Sequence, residues 1–219
     1  MNIWITGIAG FLGSHLAETL RAQGHNVWGN DSGVCNSVPI IHLYRFDCCD
    51  FEKMKRNMTY FNIDVVIHCA ATAHEGLSSF SPSFITRNIY EASVTTFSAA
   101  IASGVKRIIF MSSMARYGNG EYKGYSADGR LVELHCEPPF DEDQDTSPVD
   151  PYGVAKVAAE DTLRVLARTH GIEHIILVPH NIIGIRQKYD DPYRNVASIM
   201  INRALQGKPL IVYGDGKQK

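Results

Sequence analysis

Apolar runs and amphipathic segments alternate along the chain from its first residues. Continuous apolar runs, such as DVVIHC at 64–69 and RIIFMS at 107–112, are typical of strands that are covered on both faces. The pattern predicts strands at 2–6, 26–30, 64–69, 107–112 and 175–179 and one ending at 46, with helices at 11–23, 51–58, 81–103, 151–170 and 195–206. This alternation predicts an α/β fold with a parallel, doubly wound sheet and helices on both faces.

Proline and glycine mark the ends of the two longest predicted helices. Pro82 and Pro151 stand in their first turns, and Gly104 and Gly171 follow their last residues. Two segments lack this regularity. Residues 118–149 predict a long polar loop, and a strand-like stretch at 210–212 leads into a closing turn.

Composition narrows the class of protein. The chain has 219 residues, of which 45% are hydrophobic and 20% charged, with a formal net charge of −2. These values exclude wholesale disorder, and they give no indication of a nucleic-acid or membrane partner. There is no apolar stretch of about 20 residues and no basic leader, and the five cysteines are odd in number without a C-x-x-C pair. We therefore expect a reduced, cytoplasmic protein without a metal site.

A glycine-rich turn joins the first predicted strand to the first helix. Gly7, Gly10 and Gly13 form a G-x-x-G-x-x-G pattern that lets the backbone approach a pyrophosphate at the helix N-terminus. Asp31 ends the second strand, where a carboxylate can accept both hydroxyls of an adenosine ribose and repels the 2′-phosphate of NADP. Either feature alone also occurs in a merely structural turn or a solvated loop, but together they predict NAD binding.

Candidate reactive groups stand on two later elements, a strand and a helix. Ser112 and Ser113 end a strand, and Tyr152 and Lys156 lie four residues apart on one helix face. A tyrosine hydroxyl has a pKa of about 10, and a nearby ammonium together with an oxidised nicotinamide would lower that pKa toward neutral. A Y-x-x-x-K pair by itself is also common on exposed helices.

The ordered motifs of the chain resemble the extended short-chain dehydrogenase/reductase superfamily, and within it the NAD-dependent epimerase/dehydratase family. The motifs are TGIAGFLGSHL at 6–16, FDCCD at 46–50, HCAA at 68–71, Asn88, MSSMARYG at 111–118, DPYGVAK at 150–156, PHNIIG at 179–184 and YGDG at 213–216.

This resemblance implies a role for each matching residue. It makes Tyr152 the catalytic base, Lys156 its pKa-tuning partner and Ser113 the partner hydroxyl, with Ser113, Asn181 and Arg186 binding a nucleotide-sugar substrate. The implied NAD-binding residues are Gly7, Ala9, Gly10, Phe11, Leu12, Gly13, Asp31, Asp47, Cys48, Ala70, Ala71, Asn88, Met111, Tyr152, Lys156 and Pro179.

Within the resembled family, the reaction depends on which acids accompany the tyrosine. Dehydratases and decarboxylases carry an acid just after the catalytic serine, but here Met114 and Ala115 stand there and neither transfers protons. His135 and Cys136 could form an extra acid/base pair, although an exposed loop is the favoured interpretation. We therefore predict epimerisation of a nucleotide sugar at C4 through a 4-keto intermediate. A reductase or dehydrogenase with exchangeable NAD(P)H and a non-catalytic NAD sensor remain the alternatives.

The resemblance also predicts domain organisation and assembly. Residues 1–180 would form the Rossmann-type NAD-binding domain, and residues 181–219 would begin a small, apparently truncated substrate lobe. The helices at 81–103 and 151–170 have apolar residues on more than one face, including Val154 and Val165. We therefore expect a homodimer.

Overall fold

The computed structural model describes residues 1–33, 42–190, 196–212 and 216. Its centre is a six-stranded, fully parallel sheet. The strands are β1 Asn2–Thr6, β2 Asn26–Asp31, β3 Leu43–Arg45, β4 Val65–His68, β5 Arg107–Met111 and β8 Glu173–Leu177. Across the sheet they lie in the order β3-β2-β1-β4-β5-β8. The predicted Rossmann-type fold is confirmed.

The helices alternate with these strands. They are α1 Phe11–Ala22, α2 Phe51–Tyr60, α3 Glu75–Ser78, α4 Pro82–Thr86, α5 Ala92–Ala102, α6 Pro151–His170 and α7 Val196–Leu205. A π-helical turn, Arg87–Glu91, joins α4 to α5, so the predicted helix 81–103 is one helical segment with a local widening. The first residue predicted for the last helix, Asn195, lies outside the described residues.

The ends of α6 show how local sequence defines a helix. The Asp150 carboxylate accepts a hydrogen bond from the Gly153 N–H at 2.8 Å, and Pro151 is the first helical residue. Gly171 follows in the left-handed conformation with φ 66°. The helix consequently begins and ends at the predicted residues.

Two apolar layers cover the sheet. On one face Trp4, Val66 and Phe110 pack against Phe97 of α5 and Leu163 of α6. On the other face, strand residues pack against α1 in the cluster Ile3, Ile5, Ile8, Ala17, Val27, Val65 and Ile67. Because β1 and β4 are buried on both faces, the carboxyl ends of these central strands are held rigidly.

Three predictions about the remaining segments are wrong. Within 118–149, β6 Glu121–Tyr125 and β7 Leu131–His135 form an antiparallel hairpin, because apolar and polar residues alternate on both sides of a turn containing Gly129. Residues 210–212 are not a strand, because no described strand pairs with them. β8 begins two residues before the predicted strand, because pairing with β5 sets its register. The YGDG turn lies outside the described residues except for Gly216.

Candidate active site

A cavity of about 780 Å³ lies at the carboxyl ends of the parallel strands. Strand order reverses between β1 and β4, and ligands of open α/β sheets bind in the crevice beside such a point. The cavity is lined by these predicted site residues: Gly7, Gly10, Phe11, Leu12, Gly13, Asp31, Asp47, Cys48, Ala70, Ala71, Asn88, Met111, Ser113, Tyr152, Lys156, Pro179, Asn181 and Arg186. Ala9, which was also predicted, is not among the residues that line the cavity.

The glycine turn is a cradle that side chains would fill. Gly7 has φ 66°, and a Cβ atom there would lie 2.8 Å from the Ala70 Cα. A Cβ atom on Gly13 would lie 2.1 Å from the Gly7 carbonyl oxygen. Gly10 caps α1 without a side-chain hydrogen bond, so the first N–H groups of α1 are available to a ligand. The residues present therefore fit the pyrophosphate of a dinucleotide.

Asp31 is oriented by the backbone around it. Its carboxylate oxygens accept hydrogen bonds from the Ala9 N–H at 3.0 Å and the Gly33 N–H at 2.9 Å. Each oxygen retains a second lone pair, so the carboxylate can still accept from ribose hydroxyls. Ala9 thus acts through its N–H on Asp31, and its side chain does not line the cavity.

Near Asp31, the cavity is lined by the buried thiol of Cys48 and the charged carboxylate of Asp47. The Cys48 thiol accepts a hydrogen bond from the Asn30 amide at 3.3 Å, and burial raises the pKa of Cys48 to about 12. Asp47 pairs with Arg87 at 3.5 Å, and the two side chains are 45% and 60% exposed. Cys48 is therefore an uncharged thiol at neutral pH.

Ser113, two residues after β5, and Tyr152 of α6 are brought together. Burial is the main cause that raises the pKa of Tyr152 to about 12, while a hydrogen bond with the Ser113 side chain opposes this rise. Both residues are buried. Both residues line the same cavity.

Lys156 lies one helical turn from Tyr152, but its ammonium bonds elsewhere. The Nζ atom donates to the Met111 carbonyl oxygen at 2.6 Å and lies 5.9 Å from the centre of the Tyr152 ring. Burial lowers the pKa of Lys156 to about 8. The Lys156 ammonium is not among the groups that shift the pKa of Tyr152 here. The expectation from sequence combines this ammonium with a second positive charge, so it stays a prediction. The other positive charge expected here is that of oxidised nicotinamide.

Arg186 and Asn181 line the cavity from the segment after β8. The Arg186 guanidinium forms two hydrogen bonds with the Glu18 carboxylate, at 2.7 and 2.8 Å. Asn181 has a positive φ of 47° and its amide contacts the His180 ring at 2.8 Å. The charge of Arg186 is thus partly balanced by α1, a contact that local sequence does not indicate.

Two acids near the site were missed by the sequence reasoning. Glu75 lines the cavity at the start of α3, and Glu160 is fully buried one turn beyond Lys156. Glu160 shares the Tyr152–Lys156 face through i+4 spacing, so periodicity could have found it. No local pattern marks Glu75.

His135 is exposed and pairs with Glu137 at 3.1 Å, and neither His135 nor Cys136 lines the cavity.

Fold and site define a Rossmann-type protein with the Ser-Tyr-Lys arrangement of the short-chain dehydrogenases/reductases. The profile of the NAD dependent epimerase/dehydratase family matches residues 3–219. The chain belongs to this family, and the sequence-based prediction of the family and its NAD cofactor is confirmed at that level.

Individual relatives span several reactions. The chain is 32% identical to UDP-N-acetyl-alpha-D-glucosaminuronate decarboxylase of Bacillus cytotoxicus, over 98% of this chain and 64% of the relative. It is 29% identical to a putative UDP-glucose 4-epimerase of Methanocaldococcus jannaschii, over 99% of this chain and 67% of that one. The chain spans about two thirds of the length of these curated relatives.

A solved structure shows the same fold. It is the UDP-glucose 4-epimerase of Thermotoga maritima with UDP-glucose, with a TM-score of 0.85 and 30% identity over 99% of this chain and 67% of that one.

The described part of our chain contains no helix with the length and apolar character of a membrane span.

Proposed function

We propose that this protein epimerises a nucleotide sugar at C4, using NAD that stays bound between turnovers. The observation that carries this proposal is the Ser113–Tyr152 pair beside Lys156 in one cavity, with Met114 where an acid would serve a second carbon. The set of groups suffices for chemistry at one carbon and its oxygen.

Each side chain has a distinct task in this proposal. The Tyr152 oxygen takes the proton of the sugar 4-hydroxyl and later returns it, while the Ser113 hydroxyl holds the same oxygen. Lys156 supplies a positive charge at a buried position. Its electrostatic interactions are stronger there than in water, because the local dielectric constant is lower. NAD, when bound, supplies the hydride acceptor at C4 and then the donor to the opposite face.

The residues proposed to bind NAD line the same cavity. The glycine cradle would hold the pyrophosphate, Asp31 the adenosine ribose, and Asp47 and Cys48 the adenine. The exclusion of NADP follows from the charge of Asp31. Asn181 and Arg186 are proposed to contact the substrate diphosphate.

Met114 separates epimerisation from the decarboxylation performed by the relative from Bacillus cytotoxicus. Its thioether lines the cavity next to Ser113 and has no transferable proton. Turnover of a hexuronate to a pentose with release of carbon dioxide would overturn the proposal.

The test is cofactor release and turnover with the purified full-length protein. The protein is denatured to assay released NAD, and is incubated with UDP-, GDP-, CDP- and dTDP-sugars without added cofactor. We expect bound NAD, a 4-epimer and no net NADH. Tyr152→Phe should abolish turnover and keep NAD, whereas Tyr125→Phe on the exposed hairpin should change neither. Stoichiometric NADH would instead support a reductase, and bound NAD with every sugar inert would support a sensor.

We further propose that two copies associate through the α4–α5 segment and α6. Phe84, Val154 and Val165 are 49%, 53% and 50% exposed, although large apolar side chains usually avoid water. Val154→Glu should convert a dimer to a monomer in light scattering, and a monomeric parent would contradict the assembly. The cytoplasmic location and the division at residue 180 stay predictions.

A further inference from the structure

Glu75 places a carboxylate in the cavity beside the proposed base. It is the first residue of α3, directly after the wall segment that includes Ala70 and Ala71, and α3 packs against α6. Within the described residues, the Glu75 carboxylate forms neither a hydrogen bond nor an ion pair. It is therefore available to a ligand in the cavity.

The negative charge of Glu75 acts electrostatically on the Tyr152 hydroxyl. Glu75 and, to a smaller extent, Asp150 each raise the pKa of Tyr152. The Asp150 carboxylate is engaged at the start of α6, where it accepts from the Gly153 N–H. Of these two acids, Glu75 is thus the one that a bound sugar can contact.

The surroundings of Glu75 act on the pKa of its carboxyl group. Partial burial and Asp150 raise the pKa of Glu75, while His180 opposes that rise.

Geometry connects this charge to the identity of the sugar. If Tyr152 reaches the 4-oxygen, as the proposed function requires, then C3 and C5 and their substituents lie next to it. A carboxylate accepts hydrogen bonds from hydroxyl groups but repels another carboxylate. We propose that Glu75 selects nucleotide sugars with an uncharged ring, and excludes hexuronates with a carboxylate on C5. This inference rests on the proposed function.

The test compares two ligands that differ in this one group. UDP-glucose and UDP-glucuronic acid are titrated calorimetrically into NAD-loaded full-length protein carrying Tyr152→Phe, which prevents turnover. If the turnover panel selects another nucleotide, the matched hexose and hexuronate of that nucleotide replace them. We expect the hexose to bind about 10-fold or more tightly than the hexuronate, as like-charge juxtaposition predicts.

Glu75→Gln in the same background isolates the charge. Glutamine still accepts hydrogen bonds, so the hexose should bind within about 3-fold of the parent while the hexuronate gains about 10-fold. Glu52→Gln, at an exposed position on α2, is the matched control and should leave the ratio unchanged.

The outcomes distinguish the two proposals. An unchanged ratio in Glu75→Gln, or a parent that binds the hexuronate as tightly as the hexose, overturns the role of Glu75 and leaves the epimerase proposal standing. If no nucleotide sugar binds and none is converted by the parent enzyme, the proposed function fails and the selectivity inference fails with it.

Discussion

The Ser112 hydroxyl donates a hydrogen bond to the carboxylate of Glu160, which is fully buried on α6. The same carboxylate pairs with Arg116 at 3.2 Å and with Arg164 at 3.0 Å. Ser113 stands between Ser112 and Arg116, so Glu160 ties both sides of the proposed catalytic serine to the helix that carries Tyr152 and Lys156.

Replacing Glu160 should therefore damage stability and catalysis together. Glu160→Ala leaves the buried Arg116 charge without its partner, and we expect a loss of about 3–5 kcal/mol in the free energy of unfolding, measured in urea. Glu160→Gln should lose less, because its amide oxygen still accepts from Ser112. Asp161→Asn, which removes an exposed partner of Arg164, should stay within about 0.5 kcal/mol of the parent. Equal losses in Glu160→Ala and Asp161→Asn would refute the positioning role.

Asp31 should determine the choice between NAD and NADP. Asp31→Asn keeps hydrogen-bond acceptance toward the Ala9 N–H and removes the charge that repels a 2′-phosphate. We expect NAD to bind about 10-fold less tightly and NADP to bind more tightly, because a hydrogen bond to a charged group contributes roughly 1.5–3 kcal/mol. Fluorescence titration of apoprotein measures both constants. An unchanged NAD-to-NADP ratio would remove Asp31 from the ribose site.

Gly13 should tolerate no side chain. Its Cβ atom would lie 2.1 Å from the Gly7 carbonyl oxygen, whereas the Cβ atom of Gly10 would lie 3.1 Å from that oxygen. Gly13→Ala must move backbone in the cradle and should cost about 1–3 kcal/mol of unfolding free energy together with NAD retention. Gly10→Ala is the matched comparison and should cost less, as thermal unfolding and NAD release will show. A stable, NAD-loaded Gly13→Ala protein would contradict this geometry.

His68 should make the protein sensitive to acid. The ring is buried between Thr6 at 2.7 Å and Ser93 at 3.0 Å, and burial followed by the Lys156 charge lowers the pKa of His68 to about 3. The unfolded chain binds a proton near pH 6.5 and the folded protein does not, so stability falls as pH decreases from 6.5 toward 3. At pH 5 this group alone should remove about 2 kcal/mol relative to pH 7.

The His68 prediction is checked by the pH dependence of urea unfolding. His68→Asn should flatten the slope between pH 7 and 5 by that amount, whatever its overall stability. His174→Gln, at an exposed position on β8, should leave the slope as in the parent. A slope that survives in His68→Asn would assign the acid sensitivity to other groups.

Local sequence was sufficient where an element carries its own boundaries. β1 and α6 have the predicted bounds, because an apolar run defines the first and Asp150, Pro151 and Gly171 define the second. The glycine turn is equally local, since its spacing, its strand and its helix are contiguous. The remaining cavity residues were instead predicted from the resemblance of ordered motifs to the family, and all of the predicted residues except Ala9 line the cavity.

The tertiary structure decided what depends on partners distant in the chain. β8 begins at Glu173 because it pairs with β5. Residues 210–212 form no strand, because no strand of the described chain pairs with them. The bonds of Lys156 to Met111 and of Glu160 to Ser112 join α6 to β5, and the position of Glu75 depends on how α3 packs against α6. Sequence periodicity reports which face of an element is buried. Only folding determines which polar atoms meet there, because hydrogen-bond partners and local charge are set by residues far away in sequence.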